Sequence, residues 1–288
     1  MHTKQHRNGS SLLSLLLCTV MLCAALLTGC VPRPDGNTPT TAAPYPEETP
    51  ASYEQFEEKK LEEMDVVFLM DRFGYAKTID LTAYDRNREA ADAENKFVFQ
   101  CKNTGRICLF TNNGQLYTVK VQDLPFGKFR DKGIPIDNVS NFNSSQEELL
   151  LVTSQSELNL YRVIFTTRMG MIKVVDGGEF DVAKRTVAAT KLQEGDEVVS
   201  VIMMKEQKNV ILQSKDGYFL RFGVDEIPEK KKAAIGVRGM RLNEGDSIEA
   251  VYFTHNAEDT SIHYKSRDLV LNQIKAGKRD GKGTKIRA

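Results

Sequence analysis

The chain has 288 residues, enough for two average domains or for one all-β domain with appendages. Its formal net charge is zero, which excludes a uniformly basic or acidic polyelectrolyte. The charge is unevenly spread: residues 1–63 hold five basic and eight acidic residues, residues 64–288 hold 34 and 31, and residues 264–288 hold eight and two. The basic end indicates either a site for a polyanion or a solvated tail.

The first thirty residues have the pattern of an export signal. A basic start precedes an apolar run over residues 11–27, which is short for a membrane span. The run ends in L-T-G-C at residues 27–30, which resembles the lipobox of bacterial lipoproteins. The resemblance implies cleavage before Cys30, attachment of lipid to its sulfur, and an envelope protein anchored to the membrane if the signal is used. We predict a lipoprotein-type signal peptide over residues 1–30.

A linker follows the predicted signal. Residues 31–50 contain six of the nine prolines, so they cannot bury a core and favour an extended conformation. Residues 54–64, with the sequence E-Q-F-E-E-K-K-L-E-E-M, predict a short polar helix. We assign residues 31–63 to a Pro/Thr-rich linker that ends in this helix.

A four-fold repeat begins at residue 64. Each unit has an apolar strand, a turn that contains a glycine, and a second strand; the glycines are Gly74, Gly114, Gly170 and Gly217. Their spacing is typical of propeller-like arrays of small antiparallel sheets. The repeat predicts an all-β fold over residues 64–288, with four clear blades and one or two incomplete ones.

Two apolar columns of this repeat are candidates for the core. The first lies five or six residues before each glycine and contains Phe68, Leu109, Phe165 and Leu212. The second lies ten residues after each glycine and contains Tyr84, Leu124, Phe180 and Ile227. We expect both columns to be buried together.

The residues that carry chemistry in enzymes and metal sites form no set here. Cys101 and Cys108 flank a predicted hairpin, where both a disulfide and ordinary packing of two thiols remain open. Their spacing fits no zinc pattern, and the four histidines form no ligand pair. There is no Gly-rich phosphate loop, Ser-His-Asp set or carboxylate dyad. We therefore expect no metal, no cofactor and no enzyme activity from this chain by itself.

Lys- and Arg-rich connections follow the second strand of three units, and a fourth basic stretch lies near the end of the chain. Because each connection follows the same strand, we expect the clusters at equivalent edges of the blades. Duplex DNA is bound by cations that meet many phosphates along one face, although basic loops with acidic neighbours also serve solubility alone. The candidate DNA-binding residues are Lys128, Arg130, Lys132, Lys184, Arg185, Lys191, Lys230, Lys231, Lys232, Arg238, Arg241, Lys278, Arg279 and Lys282.

Three segments carry a family resemblance. G-Y-A-K-T-I-D-L-T-A-Y (74–84), S-K-D-G-Y-F-L-R-F (214–222) and A-A-I-G-V-R-G-M-R-L-N-E-G-D (233–246) resemble the C-terminal domain of the DNA-cleaving subunit of bacterial type II topoisomerases, of the gyrase or the topoisomerase IV kind. The resemblance extends over residues 64–288. It implies a β-pinwheel that binds and bends duplex DNA without sequence preference, as an accessory domain that lacks the cleavage domain and serves topoisomerase catalytic subunits. The family acts on the nucleoid in the cytoplasm, in conflict with the export signal.

The chain also departs from this family. Gyrase carries a basic box, Q-R-R-G-G-K-G, in the loop that closes its first blade. The matching loop here, residues 85–92, has no glycine, and only K-R-D-G-K-G at residues 278–283 is similar to the box. The resemblance therefore favours a topoisomerase IV type or a divergent gyrase. The export signal leaves three alternatives open: a fusion of a lipoprotein leader to this domain, an envelope-tethered, propeller-like lipoprotein that binds a protein or another polyanion, or a leader that is not used.

Overall fold

The computed structural model of the chain describes residues 62–255 and 260–287. The predicted signal peptide and nearly all of the predicted linker lie outside the described residues. The chain divides into two compact units, residues 1–57 and 58–288, and every described residue belongs to the second. Within the described part, no helix is long and apolar enough to cross a membrane.

The second unit consists of four antiparallel sheets of four strands each and a further hairpin. Blade 1 has the strand order β3 (Asn95–Lys102), β1 (Asp65–Asp71), β2 (Tyr75–Asp80), β6 (Ile134–Pro135). Blade 2 has the order β7 (Leu149–Ser154), β4 (Arg106–Thr111), β5 (Gln115–Lys120), β10 (Thr186–Ala188). Blade 3 has the order β11 (Val198–Met204), β8 (Arg162–Thr167), β9 (Met171–Asp176), β14 (Val237–Arg238). Blade 4 has the order β15 (Ile248–Thr254), β12 (Asn209–Ser214), β13 (Tyr218–Gly223), β18 (Thr284–Lys285), and the half-blade is the hairpin of β16 (Ser261–Tyr264) and β17 (Arg267–Val270). The predicted all-β fold, with four complete blades and an incomplete one, is confirmed.

The repeat glycines explain the central hairpin of each blade. Gly74, Gly114, Gly170 and Gly217 have φ angles between 71° and 84°, a left-handed conformation that glycine adopts without the steric cost of a Cβ. Each therefore allows the tight turn between the two central strands of its blade.

The blades are interlocked, because the fourth strand of each comes from the connection after the next hairpin. This strand has only two or three residues, and it is followed by an amide that donates to the carbonyl of the repeat glycine in the blade it completes. The four bonds are Ile136 N to Gly74 O (2.9 Å), Ala189 N to Gly114 O (2.8 Å), Gly239 N to Gly170 O (2.7 Å) and Ile286 N to Gly217 O (2.9 Å). Neighbouring blades are therefore joined by backbone hydrogen bonds as well as by packing.

The hydrophobic core lies within and between adjacent blades. The first predicted column is confirmed, since Phe68, Leu109, Phe165 and Leu212 are at most 1% exposed. In the second column, Leu124, Phe180 and Ile227 are also buried, at or immediately after short 3-10 helices. The ring of Phe110 meets those of Phe165 and Phe180 edge-on, at centroid distances of 5.9 and 5.2 Å, and so joins blade 2 to blade 3.

Tyr84 departs from the second column. The connection after β2 forms two helices, α1 (Leu81–Arg86) and α2 (Arg88–Glu94), in place of a 3-10 helix and a short strand. The Asp80 carboxylate caps α1 by accepting a hydrogen bond from the amide of Ala83 at 2.8 Å. Tyr84 lies half-exposed on α1, so the prediction that it is buried with the rest of its column is wrong.

The predicted hairpin between Cys101 and Cys108 is also wrong. Cys101 lies on β3 of blade 1 and Cys108 on β4 of blade 2, so the turn between them passes from one blade to the next. Both are free, buried thiols, and burial raises the pKa of each to about 12. Of the two alternatives left open, ordinary packing describes them.

A third helix, α3 (Gln155–Leu158), follows β7.

Candidate nucleic-acid interface

The basic connections lie against equivalent strands of the preceding blades. In blade 1, Thr78 of β2 donates its amide to Pro125 O, and its carbonyl accepts from the amide of Gly127. In blade 3, Val174 of β9 makes the same pair of bonds with Pro228 O and the amide of Lys230. In both blades the second strand of the central hairpin has a free edge. The connection that follows the next hairpin forms hydrogen bonds to this edge, which fixes the path of that connection.

Three of the connections leave this edge in an excursion of six residues and then return to it. We call residues 128–133, 231–236 and 278–283 the rim loops. Each ends at a glycine (Gly133, Gly236 or Gly283) for which an added Cβ would lie 2.5–2.6 Å from a backbone oxygen of the preceding blade. Only glycine permits this approach. The connection that lies beside blade 2 has no such excursion, since residues 185–188 stay next to β5.

Most of the predicted DNA-binding residues are exposed on these connections. Lys232 and Arg279 are half-buried, and the other twelve are exposed. Rim-loop residues and their neighbours lie beside blades 1, 3 and 4, whereas Lys184 and Arg185 lie beside blade 2. The structure thus distributes the clusters over four successive blades rather than gathering them into one patch.

Carboxylates engage some of these cations. Arg185 pairs with Asp123 at 3.4 Å, and Lys231 pairs with Glu179 at 3.2 Å. The ammonium of Lys232 donates to the backbone oxygen of Glu179, while its amide donates to the Glu179 carboxylate. Although partial burial acts to raise it, these hydrogen bonds hold the pKa of Glu179 below its usual range.

The rim loop that is similar to the gyrase box is held in the same way. Arg238 and Asp280 form two hydrogen bonds, which lower the pKa of the Asp280 carboxyl. The Arg279 guanidinium donates to the backbone oxygens of Glu226 and Arg238. Arg238 and Arg279 therefore hold the rim loop of residues 278–283 in place, in addition to carrying charge.

Nine predicted residues make no side-chain hydrogen bond or ion pair within the described part of the chain. They are Lys128, Arg130, Lys132, Lys184, Lys191, Lys230, Arg241, Lys278 and Lys282. Lys282 lies over the ring of Tyr218, with its ammonium 5.0 Å from the ring centroid. These exposed cations can meet phosphates without first breaking an internal pair.

Two lysines at this interface are absent from the set predicted from sequence. Lys77 and Lys173 each lie three residues after a repeat glycine, and each ammonium donates to backbone oxygens of a rim loop. Lys173 is 1% exposed, and burial lowers its pKa to about 8. The signal was present in the sequence as the shared pattern G-x-x-K, but it stands within an apolar strand where a lysine is usually solvent-facing.

No cluster of His, Cys, Asp or Glu among the described residues is arranged to hold a metal ion.

Comparison with known proteins places this arrangement among topoisomerase domains. The family described as "DNA gyrase C-terminal domain, beta-propeller" matches residues 105–142, 161–203 and 208–255. Each matched segment contains one central hairpin and the connection after it, for blades 2, 3 and 4.

Full-length relatives are longer than this chain. The DNA gyrase A protein of Lawsonia intracellularis is 27% identical over 235 residues, which cover 74% of this chain and 29% of that protein. The DNA gyrase A protein of Helicobacter pylori (strain ATCC 700392 / 26695) is 29% identical over 220 residues, which cover 72% and 27%. The chain spans less than a third of the length of these curated relatives.

Solved structures have the same fold. The C-terminal domain of DNA topoisomerase IV superposes with a TM-score of 0.68 at 23% identity, over 78% of this chain and 73% of that one. The C-terminal domain of Escherichia coli ParC superposes with a TM-score of 0.62 at 17% identity, over 77% and 94%. The blades described above therefore form a β-pinwheel.

Proposed function

Because the described unit belongs to the family of DNA gyrase C-terminal domains, we propose that this chain binds and bends duplex DNA as a non-catalytic accessory module of a type II topoisomerase. The observation that carries the proposal is the repeated placement of exposed, unpaired cations on connections beside successive blades. The catalytic subunits of a topoisomerase are the proposed protein partners, since the relatives extend far beyond the part that this chain matches.

The charge arrangement favours phosphate contacts over reading of bases. Base-specific recognition in the major groove usually requires a helix or a two-stranded ribbon that enters the groove. The helices of the described residues have at most seven residues, and the cations lie on loops at the blade edges. We therefore propose binding that depends on the DNA backbone and its ability to bend, without sequence preference.

The salt dependence of binding tests the proposal. Each neutralised phosphate contributes about −0.9 to the slope of log affinity against log salt, so about five to eight contacts give a slope of about −5 to −7. The measurement is fluorescence anisotropy of a labelled duplex of about 40 base pairs, titrated with the purified chain at several KCl concentrations. Duplexes shorter than the path across several blades should bind more weakly.

Matched variants separate the proposed interface from overall charge. Replacement of Lys128, Lys230 and Lys278 by Gln removes three unpaired cations from the connections and should reduce the magnitude of the slope by about 2 to 3. Replacement of the exposed residues Lys96, Lys208 and Lys215 by Gln removes the same charge from strands and turns elsewhere and should change the slope little. Equal effects in the two variants would contradict the proposed interface. Absence of binding at low salt would contradict DNA binding altogether and would favour the envelope-tethered alternative.

A further inference from the structure

Lys173 has an unusual environment for a lysine. It lies on β9 of blade 3 and is 1% exposed. Its Nζ donates to the backbone oxygens of Lys231, Lys232 and Ala234 at 3.2, 2.9 and 2.7 Å. All three acceptors belong to the rim loop of residues 231–236, so one ammonium donates hydrogen bonds to half of the carbonyls of that loop.

Blade 1 repeats this arrangement. Lys77 on β2 occupies the equivalent position, and its Nζ donates to the backbone oxygens of Phe129 and Asp131, the second at 2.8 Å. These acceptors belong to the rim loop of residues 128–133. The same contact occurs in two blades at the same position of the repeat, so it belongs to the repeat and is not an accident of packing.

The other two blades have no lysine at this position. One has no rim loop beside it, and the other holds its rim loop through different contacts. In blade 2 the position is Tyr117, whose hydroxyl donates to the Glu147 carboxylate, and the connection beside it has no excursion. In blade 4 the position is Leu220, and the rim loop of residues 278–283 is held through Arg279 and Asp280 instead. A lysine therefore occupies this position in the two blades whose rim loops lack an ion pair like the one between Arg238 and Asp280.

The chemistry of the contact explains its effect on the loop. A buried ammonium is costly unless all three of its N–H groups find acceptors, and the loop carbonyls supply them. The carbonyls of the rim loop turn inward to Lys173, and their hydrogen bonds fix the backbone of the loop. The side chains of the same loop include Lys231 and Lys232. Glu179 also engages this loop, by pairing with Lys231 and accepting a hydrogen bond from the amide of Lys232, so the inward hydrogen bonds to Lys173 add a second hold on the loop backbone.

We infer that Lys173 and Lys77 are positioning residues of the proposed DNA interface: each holds a rim loop from beneath and so fixes the position of the exposed basic side chains on that loop and next to it. Neither lysine needs to contact phosphate. This inference rests on the proposed function for its DNA readout, whereas its structural readout is independent of DNA.

The test uses Lys173→Met, which keeps a long side chain but removes the donors. Lys215→Met is the matched control, because it removes one lysine charge from an exposed turn of blade 4. Hydrogen exchange without DNA should become at least about tenfold faster in residues 231–236 of Lys173→Met, with little change in β8 and β9 and none in the control. The salt slope for duplex binding should fall in magnitude by about 1 to 2 in Lys173→Met, as if the contacts of Lys230 and Lys231 were lost, and should stay unchanged in the control.

The two readouts distinguish the inference from the function on which it rests. If the unaltered chain does not bind DNA, the proposed function fails, and hydrogen exchange alone decides whether Lys173 holds the loop. A folded Lys173→Met protein with unchanged exchange in residues 231–236, or with an unchanged salt slope where the unaltered chain binds, would overturn the inference. If Lys173→Met does not fold, Lys77→Met applies the same two measurements and the same criteria to residues 128–133, since Lys77 is only half-buried.

Discussion

Replacement of Gly236 by alanine tests the close approach that returns a rim loop to its blade. A Cβ at this position would lie 2.5 Å from the oxygen and 2.9 Å from the carbonyl carbon of Ile172. Ordinary contacts of this kind begin near 3.4 Å, so the chain must move by nearly 1 Å. The obstacle is the backbone of β9 and not the end of a flexible side chain, so it cannot move aside at little cost.

The expected loss of stability follows from the hydrogen bonds that this movement disturbs. β14 pairs with β9 through Val237 with Ile172 and Arg238 with Met171, and Gly239 N donates to Gly170 O at 2.7 Å. About two or three backbone hydrogen bonds at about 1 kcal/mol each give a decrease of about 2 to 3 kcal/mol in the free energy of unfolding. Urea denaturation followed by circular dichroism measures this change.

A second glycine supplies the control. Gly245 has φ of 75° and nothing within 4 Å of an added Cβ, so Gly245→Ala carries only the conformational cost, about 1 kcal/mol. Gly236→Ala should therefore destabilise the protein clearly more than Gly245→Ala. The steric argument is refuted if the two variants lose equal stability, or if Gly236→Ala is the milder.

Three further predictions concern titration, thiol reactivity and processing. Burial lowers the pKa of Lys173 in the folded chain to about 8, despite the nearby Glu179 carboxylate. Between pH about 8 and 10.5 the unfolded chain therefore binds more protons at Lys173 than the folded chain does, so the stability of the folded state rises with pH. Relative to Lys173→Met, the free energy of unfolding should increase by up to about 1.4 kcal/mol per pH unit in that range, and parallel pH profiles would contradict this. Cys101 and Cys108 should react with a thiol reagent only on unfolding, since burial raises both pKa values to about 12; rapid labelling of the folded protein would show that they are accessible. If the predicted signal is used, mass spectrometry should find a mature chain that begins at lipid-modified Cys30, whereas recovery of the uncleaved chain would show an unused signal.

The parts of the fold that repeat in the sequence could be predicted from it. The repeat glycines indicated the central hairpins, and the apolar residue before each one indicated the core, because turn geometry and strand periodicity act over a few residues. The interlocking strands could not be predicted. Four strands, β6, β10, β14 and β18, have only two or three residues, too few to show a period. Each follows one hairpin in the chain but pairs with the blade that precedes that hairpin.

Local signals also misled where the first blade departs from the repeat. Tyr84 keeps its position in the apolar column, but L-T-A-Y-D-R after the capping residue Asp80 forms α1, from which Tyr84 is only partly buried against the cluster that contains Val67 and Leu69. The turn between Cys101 and Cys108 has the composition of a hairpin, yet it links two blades. In both places tertiary context decided between structures that the local sequence allows.

The site was predictable to a similar degree. The clusters follow from composition and from their place in the repeat, but the carboxylates that engage some of them do not. The partners of Arg238 and Lys232 lie 42 and 53 residues away in the sequence, and they meet only because each connection returns to the preceding blade. The candidate set therefore mixes cations free to meet phosphate with cations that hold the loops together.

The first blade sets a limit on wrapping under the proposed function. In the later repeats, the connection after the hairpin carries basic residues to the edge of the preceding blade. After β2 the same connection folds into α1 and α2, where residues 85–94 hold two basic and four acidic residues and Arg88 is paired with Asp85 at 2.8 Å. DNA that follows the rim loops therefore meets cations beside blades 1, 3 and 4 but negative charge at α1 and α2, where a phosphate backbone is repelled rather than held. A path that cannot continue past this point bends the duplex without completing a turn around the domain, so little writhe should be trapped, whichever topoisomerase the module serves.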